Sequence, residues 1–436
     1  MGKTMIVNFS IQNFGSIKNR QTISLEADES THLEDAYVVK TGGLRLLKLG
    51  LIYGPNASGK TTVLKALDFL RELVLQPEDK KTDELEFEPF LFDKDTPEQH
   101  SILEIEFFQE NKKFLYMVEF VKKAIVREEL SFFNSTREVL YERTTNMENQ
   151  FTEIAFGENI KIDKAFEKVL EANTLWNNTV LGGYLKTNID LKELKQAIDW
   201  FKFHLKPLVR TDTNLEQYVT AGINSGEIDK EEVVAILKKA DFQISDIVIQ
   251  EKESELDEAL IQLLLNSTRE STMNLKLPKD KRRVTSLRPE LEHTVNDNRF
   301  SLPFELESHG TKRFYGFAGL LAQLIKHPVI LPVDELEASL HPELYIHFLL
   351  SFLLNAEQSQ VIATTHHREI LNNKDVFRND AIWFTDKDRE SATEVYSLAD
   401  FDSSVVKDTT NVLNAYKSGK LGATPNPGDH YIDLND

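Results

Sequence analysis

The chain has 436 residues, of which 41% are hydrophobic and 9% aromatic, enough apolar material for two or three packed units. Its formal net charge of −20 makes most of the surface repel nucleic acid, so DNA or RNA binding would need a local basic patch or a partner protein. The absence of cysteine excludes disulfides and zinc–thiolate sites and fits a reducing compartment. The first residues lack the apolar core of a signal peptide, and no segment approaches the roughly 20 apolar residues that span a bilayer, so we expect a cytoplasmic protein without membrane contact.

Residues 1–150 combine strands with one long helix, which predicts the first half of a nucleotide-binding domain. Alternating polar and apolar residues over 7–27 predict two short strands. The apolar run 46–53 predicts a buried strand, and apolar residues at helical spacing over 62–75 predict a helix with one apolar face. Strand-like runs between 102 and 143 predict a small antiparallel sheet beside the main one.

The middle of the chain, residues 151–244, has apolar residues at helical spacing and predicts an inserted helical arm. It has no sustained heptads, so we expect no long coiled coil. Residues 245–436 alternate helices and strands, which is typical of a mixed, largely parallel sheet flanked by helices. We therefore predict an α/β fold whose nucleotide domain is split between the two ends of the sequence.

The segment 54–62, GPNASGKTT, satisfies the phosphate-loop pattern G-x-x-x-x-G-K-[ST]. Gly54 and Gly59 let the backbone curl, so that successive N–H groups point at phosphates lying on the positive end of the following helix. Lys60 is predicted to reach the β- and γ-phosphates of ATP, and the Thr61 hydroxyl to ligate Mg²⁺. The other residues of the predicted nucleotide cradle are Pro55, Asn56, Ala57, Ser58 and Thr62.

An apolar strand over 329–335, VILPVDE, ends in two acids that predict the catalytic centre. Asp334 lies at the carboxyl end of the strand, where it can hold the magnesium ion through water, and Glu335 can polarise the water that attacks the γ-phosphate. His366 ends another strand and is predicted to hydrogen-bond the γ-phosphate and sense its loss. His367 competes for that role, although we expect it to start the next helix instead.

The segment 307–313, ESHGTKR, opens a helix whose first N–H groups can bind a phosphate. One domain does not need two such helix starts for one nucleotide. Ser308 and Gly310 are therefore predicted to contact the γ-phosphate held by another subunit. A simple N-cap role for Ser308 remains the alternative.

In this order the four elements resemble the ABC-type ATPases of the SMC and RecF class. Residues 54–62 look like Walker A, 308–310 like a degenerate signature motif, 329–335 like Walker B and His366 like the switch histidine, while 337–342 resembles the D-loop. The motifs NFGSI, ESHGTKR, DELEASLHP, TTHHREIL and YKSGKLGATP look closer still to the stand-alone bacterial ATPases grouped with the OLD family and with RloA-type abortive-infection proteins. This resemblance implies a homodimer with ATP sandwiched between two copies, or a larger oligomer built from it, and an anti-phage role in which the ATPase controls a separate nuclease or toxin.

Two patterns raise the question of a nuclease within this chain. Asp386 and Asp388 follow a strand as D-x-D, as in the Toprim nuclease of OLD proteins, but the 48 residues after Asp388 are too few for such a domain. Arg288 and His293 have the spacing of certain helical ribonucleases, but Pro289 argues against a helix there. We therefore predict an ATPase without its own nuclease.

The basic segment 276–288, KLPKDKRRVTSLR, holds six basic residues and one acid. It is either a solvated loop or a contact for nucleic acid or a partner. The second possibility keeps open a rival function, a RecF-like DNA-repair or recombination ATPase that acts on DNA directly. A nucleotide-locked scaffold with negligible turnover is a third.

Overall fold

The computed structural model describes residues 3–160, 162–240, 242–255, 283–401 and 412–425. Its strands, in chain order, are β1 (Met5–Gln12), β2 (Gln21–Ser24), β3 (Val38–Thr41), β4 (Leu44–Leu47), β5 (Leu49–Tyr53), β6 (Ser101–Gln109), β7 (Lys112–Val121), β8 (Ala124–Phe133), β9 (Arg137–Asn146), β10 (Phe151–Phe156), β11 (Ile244–Glu255), β12 (Arg283–Val295), β13 (Asn298–Pro303), β14 (Ile330–Val333), β15 (Gln360–Thr364), β16 (Ile382–Lys387) and β17 (Thr393–Ser397).

The helices of these described residues are α1 (Glu34–Tyr37), α2 (Lys60–Leu75), α3 (Lys164–Asn173), α4 (Val180–Tyr184), α5 (Lys192–Asp199), α6 (Leu215–Ser225), α7 (Lys230–Lys239), α8 (His309–Lys326), α9 (Pro342–Asn355) and α10 (Val412–Lys417). The last turn of α5 continues as a π-helix over Trp200–His204. Within the described ranges, no helix is both long and apolar enough to cross a membrane.

The chain folds into two compact units. The first is formed by Met1–Thr211, Leu324–Ala338 and Leu349–Asp436, and the second by Asp212–Gln323 and Ser339–Phe348. The boundaries of these units differ from those of the three segments expected from the sequence, because the expected helical arm is divided between the two units.

A five-stranded sheet in the first unit has the strand order β14-β15-β5-β16-β17. The first four strands are parallel, and β17 is antiparallel to β16. The strands β5, β14 and β15 are apolar runs buried along their whole length, as expected for parallel strands covered on both faces. The predicted mixed, largely parallel sheet is confirmed, and β17 is its antiparallel edge strand.

A seven-stranded antiparallel sheet in the same unit has the order β10-β9-β8-β7-β6-β1-β2. Alternate residues of β6 and β7 are buried, which is the pattern of strands that pack one face on a core. This face shares one hydrophobic core with α2, through residues such as Ile105, Val63 and Leu67. The predicted antiparallel subdomain is confirmed, and it also includes the two N-terminal strands.

Residues before 211 of the expected arm pack into the first unit. Leu170 of α3, Leu181 of α4 and Trp200 lie in its hydrophobic core. Trp200 is fully buried and stacks on Phe107 with ring centroids 4.1 Å apart. Burial of a large apolar side chain contributes roughly 1.5–3 kcal/mol to the stability of the fold. These helices are therefore packed on the first unit and do not form an independent arm.

The second unit contains α6, α7 and a three-stranded antiparallel sheet in the order β11-β12-β13. Residues 283–288 of the basic segment lie in β12, so that part is not a loop, and residues 276–282 lie outside the described residues. Pro289 pairs with Ile249 inside this sheet. Arg288 and His293 are therefore on a strand, five residues apart and on opposite faces, which confirms that they form no helical ribonuclease pair.

Candidate nucleotide-binding site

The phosphate loop joins the central strand β5 to α2 at the carboxyl end of the parallel sheet. A Cβ atom on Gly54 would lie 2.5 Å from the carbonyl oxygen of Thr385, which belongs to the neighbouring strand. Gly59 has φ +104°, and a Cβ atom there would lie 2.2 Å from Thr393 Oγ1. Both predicted glycines are thus required. At Gly54 the reason is the close approach of Thr385, and at Gly59 it is the close approach of Thr393 together with the left-handed backbone.

A chain of hydroxyl groups holds the loop in place. Ser16 Oγ lies 3.0 Å from Thr62 Oγ1 and 2.8 Å from Thr393 Oγ1. The Thr393 hydroxyl donates to the carbonyl oxygen of Ser58 at 2.8 Å, and Ser58 Oγ lies 2.6 Å from Thr385 Oγ1. Sequence reasoning missed Ser16 and Thr393; the NFGSI motif, which contains Ser16, was the only signal for either.

The Lys60 side chain is buried and folds back over the loop. Its Nζ donates hydrogen bonds of 3.0 Å to the carbonyl oxygens of Gly54 and Pro55. Burial lowers the pKa of the Lys60 ammonium, and the nearby Asp334 and Glu335 carboxylates oppose that shift. The side chain therefore places a cation among backbone acceptors at the centre of the loop.

The two predicted metal ligands contact each other directly. Thr61 Oγ1 donates to Asp334 at 3.0 Å to Oδ1 and 3.1 Å to Oδ2. Thr364 Oγ1 also donates to Asp334 Oδ1 at 2.6 Å, and the Asp334 N–H donates to the carbonyl oxygen of Val209 at 2.8 Å. The Asp334 carboxylate is thus fixed between the first turn of α2 and the end of β15.

This donor set fits a magnesium ion. Mg²⁺ prefers oxygen ligands, usually keeps several waters, and is commonly held by one or two protein oxygens together with substrate phosphates. In the described ranges no three His, Asp or Glu side chains converge into a metal cluster of their own. Thr61 and Asp334 would therefore share the ion with phosphate oxygens and water.

Glu335 follows β14 with an unusual backbone conformation. Its φ angle is +50°, which is rare for a residue other than glycine and is often found at functional sites. Its N–H donates to Thr364 Oγ1 at 2.7 Å, and its side chain is exposed. Because the Glu335 charge acts on the pKa of both Lys60 and His366, the carboxylate lies within electrostatic reach of the loop.

His366 lies at the end of β15, close to the same charges. Burial lowers the pKa of its imidazole, and the Lys60 ammonium lowers it further, while Glu337 acts in the opposite direction. The ring is therefore neutral at neutral pH. His367 instead precedes the short 3₁₀-helix Arg368–Asn372, which is the position we expected for it.

The predicted signature residues lie in the second unit, at the start of α8. Ser308 Oγ accepts a hydrogen bond of 3.0 Å from the Thr311 N–H, which is N-cap geometry. Ser308 and His309 are exposed, and a Cβ atom on Gly310 would come no nearer than 3.7 Å to any atom outside its immediate neighbourhood. The N-cap alternative for Ser308 is confirmed.

The two aspartates of the D-x-D pattern hold local structure. Asp386 Oδ2 accepts from the Ala423 N–H at 2.8 Å. Asp388 Oδ1 accepts from the N–H groups of Glu390 and Ala392, each at 2.8 Å, and so shapes the turn between β16 and β17. Both carboxylates therefore have a structural role.

The phosphate loop follows the central strand β5, the acids Asp334 and Glu335 follow β14 two positions away, and His366 follows β15 between them. This arrangement defines an ATPase of the P-loop class. Residues 51–372, most of the chain, match the family model described as "AAA domain, putative AbiEii toxin, Type IV TA system". The chain belongs to this family and carries its AAA-type ATPase domain. No curated protein matches it.

Several solved structures are distantly similar. The SMC head bound to the C-winged helix domain of ScpA has 13% identity and a TM-score of 0.46, with 90% of this chain and 97% of that chain covered. The SMC head domain from Thermotoga maritima has 13% identity and a TM-score of 0.39, covering 90% and 98%. The Smc head domain with an extended coiled coil from Pyrococcus furiosus, bound to the C-terminal domain of ScpA, has 13% identity and a TM-score of 0.38, covering 95% and 100%. These similarities are weak, and the fold assignment rests on the strand order and connections described above.

Proposed function

We propose that the chain binds ATP with Mg²⁺ and hydrolyses it at composite sites formed between two copies of itself. The observation that carries this proposal is the meeting of Lys60, Thr61 and Asp334 around one glycine-shaped loop, although Asp334 is 273 residues from Thr61 in sequence. A purely structural loop has no need of a buried ammonium, a hydroxyl and a carboxylate placed together.

Binding would use charges that are already in position. A triphosphate offers the Lys60 ammonium fully charged oxygen atoms in place of the loop carbonyls, and charge-assisted hydrogen bonds are the stronger kind. The N–H groups of the loop and the start of α2 add a positive dipole at the same place. Thr61 and Asp334 would hold the magnesium ion, which neutralises phosphate charge and orients the γ-phosphate.

Hydrolysis would depend on Glu335 and His366. Glu335 would polarise the attacking water, since its exposed carboxylate follows the strand that carries Asp334. A neutral His366 can hydrogen-bond the γ-phosphate and respond when that group is lost.

The second copy would complete the site with the start of its α8 helix. Ser308 and Gly310 offer an exposed helix start of the kind that binds anions. Contacts made through the γ-phosphate last only until hydrolysis, so nucleotide state would set the association of the two copies, as a homodimer or as a larger oligomer built from dimers.

The output of this switch would be control of a separate effector. The family description names a putative toxin and a type IV toxin–antitoxin system, which supports an abortive-infection role. The cytoplasmic location and the separate toxin or nuclease partner are the further parts of this proposal. The segment 276–288 is our candidate for contact with that partner. Its six basic residues also keep the DNA-directed alternative testable, because salt-sensitive DNA binding that is lost on neutralising Lys279, Lys281 and Arg282 would favour a RecF-like role.

The direct test compares phosphate release by the wild type with release by Glu335→Gln. We expect Mg²⁺-dependent turnover in the wild type and a loss of about 10²- to 10⁴-fold in the variant, the range for removal of a general base. The variant should still bind a fluorescent ATP analogue and remain dimeric with ATP by light scattering. Glu153→Gln, on an exposed face of β10, is the matched control. Equal turnover in Glu335→Gln and the wild type, or no phosphate release by the wild type, would refute the proposal.

A further inference from the structure

Glu337 is a third acid at this site, in addition to Asp334 and Glu335. It lies two residues after Glu335, and its side chain is only partly exposed. Its Oε1 accepts a hydrogen bond from the backbone N–H of His366. One carboxylate oxygen therefore holds the main chain of the residue predicted to sense the γ-phosphate.

This contact is the last of four that join the residues following β14 to the end of β15, of which the first is the Thr364 Oγ1 bond to Asp334. The Glu335 N–H donates to Thr364 Oγ1 at 2.7 Å, and the Leu336 N–H donates to the Thr364 carbonyl oxygen at 3.1 Å. The Glu337–His366 bond follows in the same direction along both segments. The four residues that follow β14 are thus all hydrogen-bonded to Thr364 or His366 at the end of β15.

The second oxygen, Oε2, shows that Glu337 is not a surface acid. It is buried and, among the described residues, has no hydrogen-bond partner. The Glu337 charge acts on the pKa of both Lys60 and His366, so the carboxylate lies within the field of the phosphate loop. A buried acceptor of this kind is costly to keep, which points to a task at this place.

We infer that Glu337 is a positioning residue for ATP hydrolysis, which fixes the His366 backbone, and with it the imidazole, relative to the Lys60 loop. The inference rests on the proposed ATPase function. It assigns the effect to the hydrogen bond at Oε1: an amide oxygen at the same place can also accept from the His366 N–H, whereas a methyl group cannot. Glu337→Gln should therefore preserve the positioning that Glu337→Ala removes.

The first test measures the contact without nucleotide, by hydrogen–deuterium exchange of the peptide 361–371. We expect faster exchange of the His366 amide, in the middle of this peptide, in Glu337→Ala, and wild-type exchange in Glu337→Gln. Unchanged exchange in Glu337→Ala would overturn the inference. Faster exchange in Glu337→Ala together with no turnover by the wild type would refute the proposed function while retaining the contact.

The second test is a double-mutant cycle with His366→Ala, read as steady-state phosphate release. Glu337→Ala should lower kcat by about 10²-fold, the cost of a small misplacement of a reacting group, with KM nearly unchanged because the phosphate loop is intact. In the His366→Ala background the same change should add nothing, since both variants remove one unit of function. Thermal unfolding of each variant checks the fold.

Two results of the cycle would overturn the inference. If Glu337→Ala slows His366→Ala by the same factor as it slows the wild type, Glu337 acts independently of the histidine. If Glu337→Gln is as slow as Glu337→Ala, the carboxylate charge and not the position of His366 is what turnover needs.

Discussion

Two helix starts in this molecule offer the same backbone chemistry in very different settings. The start of α2, in the first unit, follows a buried loop shaped by two glycines, filled by Lys60 and held by the hydroxyls of Ser16 and Thr393. The start of α8, in the second unit, is exposed and capped only by its own Ser308. Both present N–H groups to an anion, but only the first has the surrounding charge and rigidity to select a triphosphate unaided.

The difference is what the proposed role of a second copy depends on. A lone capped helix start attracts a phosphate weakly, because its dipole contributes only about 0.3–1 kcal/mol at an exposed surface. The same dipole becomes useful when a bound nucleotide, already held by the first helix start of another copy, is brought against it. Changes at Lys60, Gly59 and Lys48 test how the first unit holds its helix start, with expected effects that decrease in this order.

Lys60→Ala should remove the charge on which the first helix start depends. Loss of one charge-assisted hydrogen bond, about 1.5–3 kcal/mol, predicts nucleotide affinity lower by roughly 10- to 100-fold, with turnover below detection. Titration of a fluorescent ATP analogue measures the affinity. Lys65→Ala removes an exposed lysine from the same helix and should bind like the wild type. Equal affinity in the Lys60 and Lys65 variants would mean that the loop does not bind phosphate.

Gly59→Ala tests the shape of the loop apart from its charge. An alanine at this position would have a backbone φ of +104°, and its Cβ atom would lie 2.2 Å from Thr393 Oγ1. We therefore expect a loss of about 1–3 kcal/mol in the free energy of unfolding. Gly43→Ala is the control for backbone strain alone, because Gly43 has φ +81° and no atom within 4 Å of the added Cβ. Urea unfolding should show the larger loss at Gly59. The same loss at both positions would mean that the hydroxyl chain does not confine the loop.

Lys48 is a second buried lysine, at the opposite end of β5 from the phosphate loop. We expect it to affect stability and not nucleotide binding. Its Nζ donates to the carbonyl oxygens of Leu353 and Ala356, at 2.6 and 2.7 Å, near the end of α9. Burial lowers the pKa of Lys48 from 10.5 to about 8. Between these two pKa values the unfolded chain binds more protons than the folded chain, so this group's contribution to stability rises with pH, by about 1 kcal/mol per pH unit.

Unfolding of the wild type and of Lys48→Met, compared at pH 8 and pH 9, measures this contribution. The stability difference should shift in favour of the wild type as pH rises, while nucleotide affinity at pH 7 should be the same in both proteins. A difference that does not depend on pH would show that Lys48 titrates at its ordinary value.

The sequence predicted those parts of the site whose residues are close together in the chain. The phosphate loop, the two acids after β14 and His366 each carry a local pattern, because a strand end followed by a particular residue type is itself a local feature. In the structure Thr61 contacts Asp334, and the Lys60 charge acts on the pKa of His366.

The remaining features depend on contacts between distant residues. The Ser16–Thr393 bond joins residues 377 positions apart, and neither serine nor threonine has a pattern that reports such a partner. The expected helical arm was not separate because Trp200 stacks on Phe107 of another element, which helical periodicity cannot indicate. Glu337 stood within a recognised motif, but its bond to His366 depends on how two strands lie side by side.

The central claim is that each catalytic site takes its phosphate loop from one copy and its signature helix from another. The most direct test mixes Lys60→Ala with Ser308→Arg, each folded and inactive alone, and measures phosphate release. Ser308→Ala, which removes only the N-cap, accounts for any loss of helix stability. The account predicts that the mixture recovers turnover, because a mixed dimer holds one site with an intact Lys60 and an intact Ser308. A mixture no more active than its two components would contradict it.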